Sequence, residues 1–599
     1  MLVYSPPLRD ARFVVEEVLD YDAHLDALDT DFEADVDLMT AIMEEAGKFA
    51  EQEVAPLYRI GDTEGCRLEN GNVKTPTGFA EAYAKFTENG WSSISGDPDF
   101  GGQGLPASFG TAVSEFMATA NWAWTMYPVL SHGALETINR HGSMEQKQKF
   151  LGPLISGDWT GTMCLTEPQC GTDLGLVRTR AEPNADGSYA ITGSKIFISC
   201  GDHDLAENIV HIVLARLPGA PKGTKGISLF IVPKFNVDDE GSVTDRNGVV
   251  CSSLEEKHGI HGSSTCVLNF DQARGFLIGP ENRGLACMFT FMNVARLGVA
   301  QQGVAHAERA YQGSLAYARE RLQMRAAEGA HHPERAADPI IVHPDVRRML
   351  LTQRAVAEGG RCLVLHCAKL VDTVETSADP EMRRAADAML SLLTPIAKAF
   401  LTEAGYEAAS YGVQIFGGHG YISEWGMEQN LRDARISTLY EGTTGIQALD
   451  LLGRKILLDG GAALGSFIDE IQSFCRTHAG TKNLGGLLQT LHMKCDDWRK
   501  LTQEIAVVAQ ADPNEVGAAS VDYLMYSGYV TLSFFWAKSA VAAQQALDAG
   551  STELSFYKGK LATARFCFEK LLPRTLSLAA SIQSGSDSLM EIGEDEFAA

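Results

Sequence analysis

The stretch "MCLTEPQCGTDLGLVRTRAEPNADGSYAITGSKIFISCG", from Met163 to Gly201, decides the fold of this chain. It contains a Thr-Glu-Pro turn, then Gly171-Thr172-Asp173, and further on a Gly-Ser-Lys turn that leads into an apolar strand. The small residues and hydroxyls of the first two turns leave backbone N–H groups open to an anion such as a pyrophosphate. An aromatic residue next to a hydroxyl on one strand, here Phe197 and Ser199, could cover and hydrogen-bond a flat ring. Taken singly, each turn is equally typical of an ordinary β-hairpin.

The residue pattern changes twice along the chain. Residues 160–279 hold short runs rich in β-branched and aromatic residues, which predict an antiparallel sheet or barrel. The flanking sequence has helical periodicity, and "SMEQKQKFLGPLISGDW" predicts a short helix that ends at Gly152 and Pro153. We therefore predict an α+β chain with an N-terminal extension (1–34), an N-terminal helical domain (35–159), a β-barrel domain (160–279), a helical bundle (280–456) and an additional C-terminal helical domain (457–599).

The composition argues against several classes of function. The chain has 599 residues, of which 45% are hydrophobic and 21% charged, as in ordinary globular proteins. A formal net charge of −27 argues against nucleic acid or an anionic membrane surface as a general partner. The twelve cysteines show no metal-binding or redox spacing, so we expect reduced thiols, no metal and a cytoplasmic location. We see no secretory signal and no apolar run of the ~18 residues that a membrane span needs.

A second informative stretch is "STLYEGTTGIQALD", from Ser437 to Asp450. It places one carboxylate, Glu441, between a tyrosine and a Gly-Thr-Thr turn, and apolar residues at helical spacing follow. The simplest interpretation is an acid near a helix N-terminus, which the helix dipole stabilises by a few tenths to about 1 kcal/mol.

The order and spacing of these motifs resemble the acyl-CoA dehydrogenase family over residues 35–456. The family pattern Thr-Glu-Pro-x-x-Gly-Ser/Thr-Asp, followed by Gly-x-Lys-x-x-Ile-x-x-Gly, is present in full. The segment "VQIFGGHGYISEWGMEQNLRDARISTLYEGTTGIQ" matches in register at Gln414, Gly417, Gly418, Gly420, Arg432, Asp433, Tyr440, Glu441, Gly442 and Thr443. The resemblance implies the acyl-CoA dehydrogenase fold, in which a helical domain, a β-barrel and a helical bundle follow one another, here with an extra C-terminal helical domain.

The resemblance also implies an FAD site and a role for each of its residues. The residues implied to bind FAD are Leu165 and Thr166 at the pyrimidine edge, Gly171 and Thr172 at the phosphates, Phe197 and Ser199 against the isoalloxazine ring, Arg321 at the pyrophosphate of the neighbouring subunit, Gln414, Gly417 and Gly418 at the adenosine end, and Thr443 beside the base. The residues implied to contact the substrate are Thr172, Arg296, Tyr440 and Gly442. A cofactor bound across two chains implies at least a dimer, and we expect a homodimer.

Glu441 is the implied catalytic base. Some relatives carry the base just before the arginine that corresponds to Arg296, but Ala295 at that position cannot accept a proton. Removing a proton next to a thioester carbonyl needs one positioned base, and a carboxylate shielded by apolar groups has a raised pKa. The adjacent Gly442 lets the backbone approach substrate, so that the Glu441 amide can help bind the thioester oxygen. By resemblance, Glu441 takes the pro-R α-proton, the β-hydride goes to flavin N5, and the product is a trans-2-enoyl-CoA.

Several positions depart from the family pattern. Met324 stands where many relatives have a phenylalanine after Arg321, and Gly445 stands where they often have glutamine. In "KHGIHGSSTC", His261 replaces an arginine, and we interpret it and His258 as polar residues at the barrel edge.

The two chain extensions resemble the long bacterial branch of the family. That branch acts on 3-methylmercaptopropionyl-CoA or on medium- and long-chain fatty acyl-CoA thioesters, and we expect the same here, with an electron-transferring flavoprotein as electron acceptor. Two other functions stay open: an acyl-CoA oxidase that uses oxygen, and a non-enzymatic DNA-associated flavoprotein. The latter predicts a basic C-terminal block, whereas this chain ends in the acidic "MEIGEDEFAA".

The additional C-terminal domain is expected to stabilise the dimer and to carry no catalytic residue. Its segment "VDYLMYSGYVTLSFFWAKSAVAAQQAL" predicts a helix with a broad apolar face. The residues on that face are Tyr523, Leu524, Tyr526, Tyr529, Leu532, Phe535 and Trp536.

Overall fold

The computed structural model describes residues 2–29 and 34–598. Residues 30–33, at the end of the predicted N-terminal extension, and the two terminal residues lie outside that description. The chain divides into two compact units. One unit runs from Ile42 to Gly298, and the other combines the residues up to Ala41 with those from Val299 onward.

The part of the chain before the barrel is mainly helical. Its elements are α1 (Leu8–Phe13), α2 (Tyr21–Asp26), α3 (Val36–Phe49), α4 (Leu57–Glu64), the strands β1 (Arg67–Glu69) and β2 (Asn72–Lys74), α5 (Phe79–Glu88), α6 (Ala107–His141) and α7 (Met144–Ser156). The predicted end of α7 at Gly152 and Pro153 is wrong, because the helix continues through both residues. Leu154 and Ile155 in its last turn are buried, and Gly157, with a φ of +85°, follows the helix as its C-cap.

The middle of the chain forms the predicted sheet. Its strands are β3 (Trp159–Cys164), β4 (Arg180–Pro183), β5 (Tyr189–Ser199), β6 (Asn208–Ala215), β7 (Ser228–Pro233), β8 (Phe235–Val237), β9 (Val243–Arg246), β10 (Val249–Leu254) and β11 (Thr265–Ile278). The main sheet has the order β3-β6-β7-β11-β5-β4, with β10 beside β11. Strands β3 and β6 pair in parallel, which corrects the expectation of a purely antiparallel sheet. Strand β6 is buried at every position. It therefore lacks the alternation of apolar and polar residues that is typical of a strand with one face in water, because both of its faces are covered.

The loop between β10 and β11 joins the sheet to the helices of the same unit. Gly262 lies so close to Gly61 that a Cβ at position 262 would come within 3.1 Å of the Gly61 Cα. The Tyr127 hydroxyl donates a hydrogen bond to the Gly262 carbonyl at 3.2 Å. His261 Nδ1 lies 2.9 Å from an Asp62 carboxylate oxygen, and this contact raises the pKa of His261. His261 therefore connects the barrel edge to α4.

The helical bundle consists of three long helices and two short ones. These are α8 (Gly284–Glu320), α9 (Pro344–Thr376), α10 (Pro380–Phe416), α11 (Met427–Arg435) and α12 (Thr444–Leu449). The segment Pro380–Tyr421 is long and apolar enough to cross a membrane by length and composition. That criterion is weak evidence for a span here, because 67% of the apolar window is buried inside the protein.

The additional domain is helical, as predicted. Its helices are α13 (Ala462–Thr477), α14 (Gly485–Ala511), α15 (Asn514–Asp548), α16 (Leu554–Phe566), α17 (Arg574–Gln583) and α18 (Asp587–Met590). The predicted apolar face of α15 is buried at every one of its seven positions. The Trp536 indole donates a hydrogen bond to the Ala355 carbonyl of α9 at 2.9 Å, and the Tyr529 ring packs edge-on against Phe400 of α10. Helix α15 therefore covers the bundle.

The N-terminal extension packs between the bundle and the additional domain. Asp10 of α1 accepts hydrogen bonds from Arg361 of α9 and from Lys560 of α16. Arg361 also donates to Glu308 of α8 at 3.0 Å, and Lys560 donates to Glu358 of α9 at 2.8 Å. These buried charges join both extensions to the bundle helices.

Candidate active site

The Thr-Glu-Pro turn is built around a buried carboxylate. Glu167 accepts hydrogen bonds from the backbone N–H groups of Arg178 at 2.7 Å and Thr179 at 3.0 Å. It also accepts from the Thr179 hydroxyl at 2.6 Å and from Lys195 Nζ at 2.8 Å. Burial acts to raise the pKa of Glu167, but the Lys195 charge and these donors overcome it and hold that pKa at about 2. The hydrogen bonds to the Glu167 carboxylate therefore hold the turn in its conformation.

Lys195 brings this turn to strand β5. Its side chain is fully buried, and its Nζ donates a second hydrogen bond to the Leu165 carbonyl at 3.0 Å. The Ile196 amide donates to the Thr166 carbonyl at 2.9 Å. Leu165 and Thr166 are thus held beside the start of the predicted Phe197–Ser199 pair. The sequence reasoning assigned no role to Lys195 or Glu167, although both belong to the quoted motifs.

Phe197 lies at an irregularity in β5 and is exposed there. Its φ is +58°, and the pairing of β5 with β11 shifts register between Lys195 and Ile198. A left-handed residue other than glycine costs roughly 1–2 kcal/mol. The aromatic side chain is 59% exposed, which is unusual for a phenylalanine on a strand. Ser199, half-buried, lies in register opposite Thr265.

The predicted anion turn is open. Gly171 and Thr172 are exposed, and a Cβ at position 171 would meet only the Thr166 methyl group, at 3.6 Å. Asp173 closes the following turn by accepting a hydrogen bond from the Gly175 amide at 3.0 Å. The backbone of this turn is thus accessible from solvent.

Arg296 is buried on α8. Its guanidinium lies 6.0 Å from the centre of the Phe289 ring, and it donates a hydrogen bond to Asn293 at 3.4 Å. The neighbouring Ala295 is also buried and offers no proton acceptor.

Glu441 lies in a tight turn of the other unit. Its φ is +56°, and that of Gly442 is +91°. Gln447 Nε2 donates a hydrogen bond to the Glu441 carbonyl at 2.9 Å, and Lys398 Nζ donates to the Gly442 carbonyl at 2.7 Å. A Cβ at position 442 would come within 2.6 Å of Gln447 Nε2, so glycine is required both for its φ and for this close approach. Sequence reasoning missed Lys398 and Gln447.

The residues that flank Glu441 also have clear structural partners. The Tyr440 hydroxyl donates a hydrogen bond to Gln302 Oε1 of α8. Thr443 is the N-cap of α12, and its hydroxyl accepts a hydrogen bond from the Ile446 amide at 3.3 Å. Glu441 therefore lies near the N-terminus of α12, as the simple interpretation holds, but in a left-handed turn that precedes the N-cap.

Arg321 and the residues from Gln414 to Gly418 lie at neighbouring helix ends; Gln414 belongs to the last turn of α10 rather than to the predicted loop, and Gly417 and Gly418 follow that helix. Tyr317 of α8 stacks on Phe416 of α10 with ring centres 4.2 Å apart, and its hydroxyl lies 2.9 Å from His419 Nδ1. Arg321 follows the end of α8 and is exposed. Met324, Gln414, Gly417 and Gly418 are exposed as well. A Cβ at either glycine would meet nothing within 4 Å, so the surface is open there.

Comparison with known proteins identifies the family. Residues 37–158, 162–273 and 282–457 match the N-terminal, middle and C-terminal domains of acyl-CoA dehydrogenase, and residues 467–593 match a domain described as "Acetyl-CoA dehydrogenase C-terminal like". The chain is 43% identical to a 3-methylmercaptopropionyl-CoA dehydrogenase of Ruegeria pomeroyi, over 98% of this chain and 99% of that protein. The chain belongs to the acyl-CoA dehydrogenase family.

Other relatives of this acyl-CoA dehydrogenase also match over most of its length. It is 36% identical to a broad-specificity linear acyl-CoA dehydrogenase of Mycobacterium tuberculosis, over 99% of this chain and all of that protein. Among solved structures, an acyl-CoA dehydrogenase of Bacillus anthracis complexed with FAD has the same fold, with a TM-score of 0.71 and 22% identity, over 96% of this chain and 92% of that one. The predicted family, with the FAD dependence that belongs to it, and the predicted fold class are confirmed by the domain matches and by the full-length relatives.

Proposed function

We propose that this enzyme converts an acyl-CoA thioester into the trans-2-enoyl-CoA, with Glu441 as the base that removes the α-proton. The observation that supports this most is the conformation of the Glu441 turn. A non-glycine residue is held at a φ of +56° while buried side chains bond the carbonyls of residues 441 and 442. Such strain persists only where the surroundings maintain it, and it occurs preferentially at active sites.

FAD, when bound, supplies the acceptor for the β-hydride. The residues that we assign to its binding are Leu165, Thr166, Gly171, Thr172, Phe197, Ser199, Arg321, Gln414, Gly417, Gly418 and Thr443. The exposed Phe197 ring fits a flat ring system, and the accessible backbone at Gly171 and Thr172 fits a phosphate. Lys195 and Glu167 maintain the turn that presents Leu165 and Thr166.

We further propose that the substrate is 3-methylmercaptopropionyl-CoA. The support is the 43% identity to the Ruegeria pomeroyi protein of that name, which extends over both chain extensions. The substrate contacts that we assign are Thr172, Arg296, Tyr440 and Gly442. Medium- and long-chain fatty acyl-CoA thioesters are the competing substrates. We assign electron transfer onward to an electron-transferring flavoprotein.

We propose a cytoplasmic homodimer. The exposed position of Arg321, and of the open loop at Gly417 and Gly418, supports a cofactor site completed by a second copy of the chain. Each cysteine is free in the described structure, and all but the half-buried Cys66 are buried, which suits a reducing compartment.

An anaerobic titration of the purified yellow protein tests this function. We expect 3-methylmercaptopropionyl-CoA to bleach the flavin faster, at saturation, than butyryl-, octanoyl- or palmitoyl-CoA. A faster reaction with a fatty acyl-CoA would reassign the substrate, and no bleaching by any thioester would overturn the proposal. Release of peroxide in air, without an added electron acceptor, would show an oxidase instead.

Glu441→Gln tests the base directly. The variant should keep its FAD and bind substrate but lose at least ~100-fold in the rate of flavin reduction, the usual effect of removing a general base. The matched control is Glu403→Gln, because the Glu403 carboxylate accepts a hydrogen bond from the Thr444 hydroxyl close to the same turn. The control should stay near the wild-type rate. A near-normal rate in Glu441→Gln would remove Glu441 from the mechanism.

A further inference from the structure

The Glu441 turn requires support from outside its own segment. A left-handed conformation costs a residue with a side chain roughly 1–2 kcal/mol relative to its usual conformations. Without anchors, the turn would relax and the carboxylate would move relative to the substrate. A displacement of about 1 Å in an active site can reduce the rate by roughly 100-fold.

Two buried side chains provide these anchors through consecutive carbonyls. Gln447, fully buried on α12, bonds the Glu441 carbonyl, and Lys398, fully buried on α10, bonds the Gly442 carbonyl. Because each peptide group is planar, fixing a carbonyl also fixes the N–H group of the following residue. The orientation of the Glu441–Gly442 segment is thus determined from two different helices.

The use of lysine at position 398 is informative. Placing an ammonium group away from water costs several kcal/mol before its interactions offset that cost. An apolar side chain of similar length would avoid this cost in the interior of α10. The advantage of the ammonium is a charge-assisted hydrogen bond, which is shorter and about twice as strong as a neutral one. Here that bond, at 2.7 Å, is made to the residue directly after Glu441.

We propose that Lys398 is a positioning residue for the reaction. Its ammonium group acts through the Gly442 carbonyl and keeps the Glu441 turn in the conformation in which the carboxylate can accept the α-proton. Lys398 itself does not contact the substrate. The inference rests on the proposed function of Glu441.

Lys398→Met tests the proposal, because methionine keeps an unbranched side chain but cannot donate a hydrogen bond. The matched control is Lys455→Met: Lys455 Nζ donates to Ser391 of the same helix α10, at 2.6 Å, and not to the turn. We expect Lys398→Met to retain FAD and to bind acyl-CoA within about threefold of wild type, while flavin reduction slows by ~10- to 100-fold. Lys455→Met should reduce its flavin at the wild-type rate. A wild-type rate in Lys398→Met would overturn the proposal.

A double variant separates positioning from a general structural effect. If Lys398 acts through Glu441, adding Lys398→Met to Glu441→Gln should slow flavin reduction no further, because residues that act as a unit are not additive. An equal slowing in both backgrounds would overturn the proposal. If Lys398→Met does not fold, Lys398→Leu, which also cannot donate a hydrogen bond, is measured with the same two expectations.

The outcomes also distinguish this inference from the proposed function. An inactive Glu441→Gln together with a fully active Lys398→Met overturns the role of Lys398 alone. A fully active Glu441→Gln overturns the assignment of the base and, with it, the inference.

Discussion

Asp10→Asn tests how strongly the N-terminal extension is joined to the rest of its unit. Asp10 pairs with Arg361 and Lys560, whose side chains are 0% and 2% exposed. Asparagine has nearly the same shape as aspartate but lacks its charge. The buried cluster around Arg361 and Lys560 therefore loses one of its negative charges. Removing one partner from a buried ion pair costs about 3–5 kcal/mol, because a charge is left buried without compensation. We expect the free energy that holds α1 against α9 and α16 to fall by this amount.

Hydrogen exchange is the suitable measurement, because a chain of several domains opens locally before it unfolds as a whole. At ~1.4 kcal/mol per factor of ten, the expected loss corresponds to roughly 10²- to 10⁴-fold faster exchange in α1 and α16.

Glu553→Gln is the matched control, because it removes the 2.9 Å pair with Arg9 between the same two segments. The side chains of that pair are 34% and 49% exposed, so water screens the attraction between them and the exchange should rise roughly fivefold or less. Equal exchange in the two variants would refute the reasoning.

Two further predictions concern the cofactor surfaces. The pKa of Glu167 in the folded chain is about 2, below its ordinary value of 4.5, so its contribution to stability is complete above pH ~4.5 and is lost as the pH falls towards 2. Acid-unfolding curves of wild type and Glu167→Gln should therefore differ in slope in that window, and parallel curves would contradict the assignment. Arg321→Ala should weaken FAD retention and dimerisation together, measured by flavin absorbance and light scattering. A dilute wild-type monomer that keeps all its FAD would be evidence against a shared site.

Local pattern was enough to predict most elements of the fold but not their ends or every strand direction. The end of α7 was misjudged because the burial of Leu154 and Ile155 in the last turn outweighs the helix-breaking tendency of Gly152 and Pro153. The parallel pairing of β3 with β6 depends on a chain path that periodicity does not report.

For the candidate site, too, local sequence pattern was sufficient for some residues and not for others. Most of the residues that the family resemblance assigns to it lie together in two short stretches, and only Arg296 and Arg321 lie outside both. Lys398 could not be named, because it lies on a helix 43 residues before Glu441 and is brought to the turn only by packing. Lys195 was visible within its motif, but the need for a buried ammonium follows from the carboxylate and carbonyl that surround it in the fold.

Backbone strain gives an independent argument for where the chemistry takes place. Within the described residues, ten residues other than glycine have a positive φ, and four of them are the asparagines and aspartate that tolerate this conformation best. The remaining six are Phe197, Cys200, Ile260, Gln272, Met324 and Glu441. Four of these six lie in or next to the segments assigned to FAD and to the base, namely the end of β5, the residues after Arg321 and the Glu441 turn. Strain of this kind lowers stability unless the surrounding structure maintains it, so its concentration in these three segments supports a functional role for each of them.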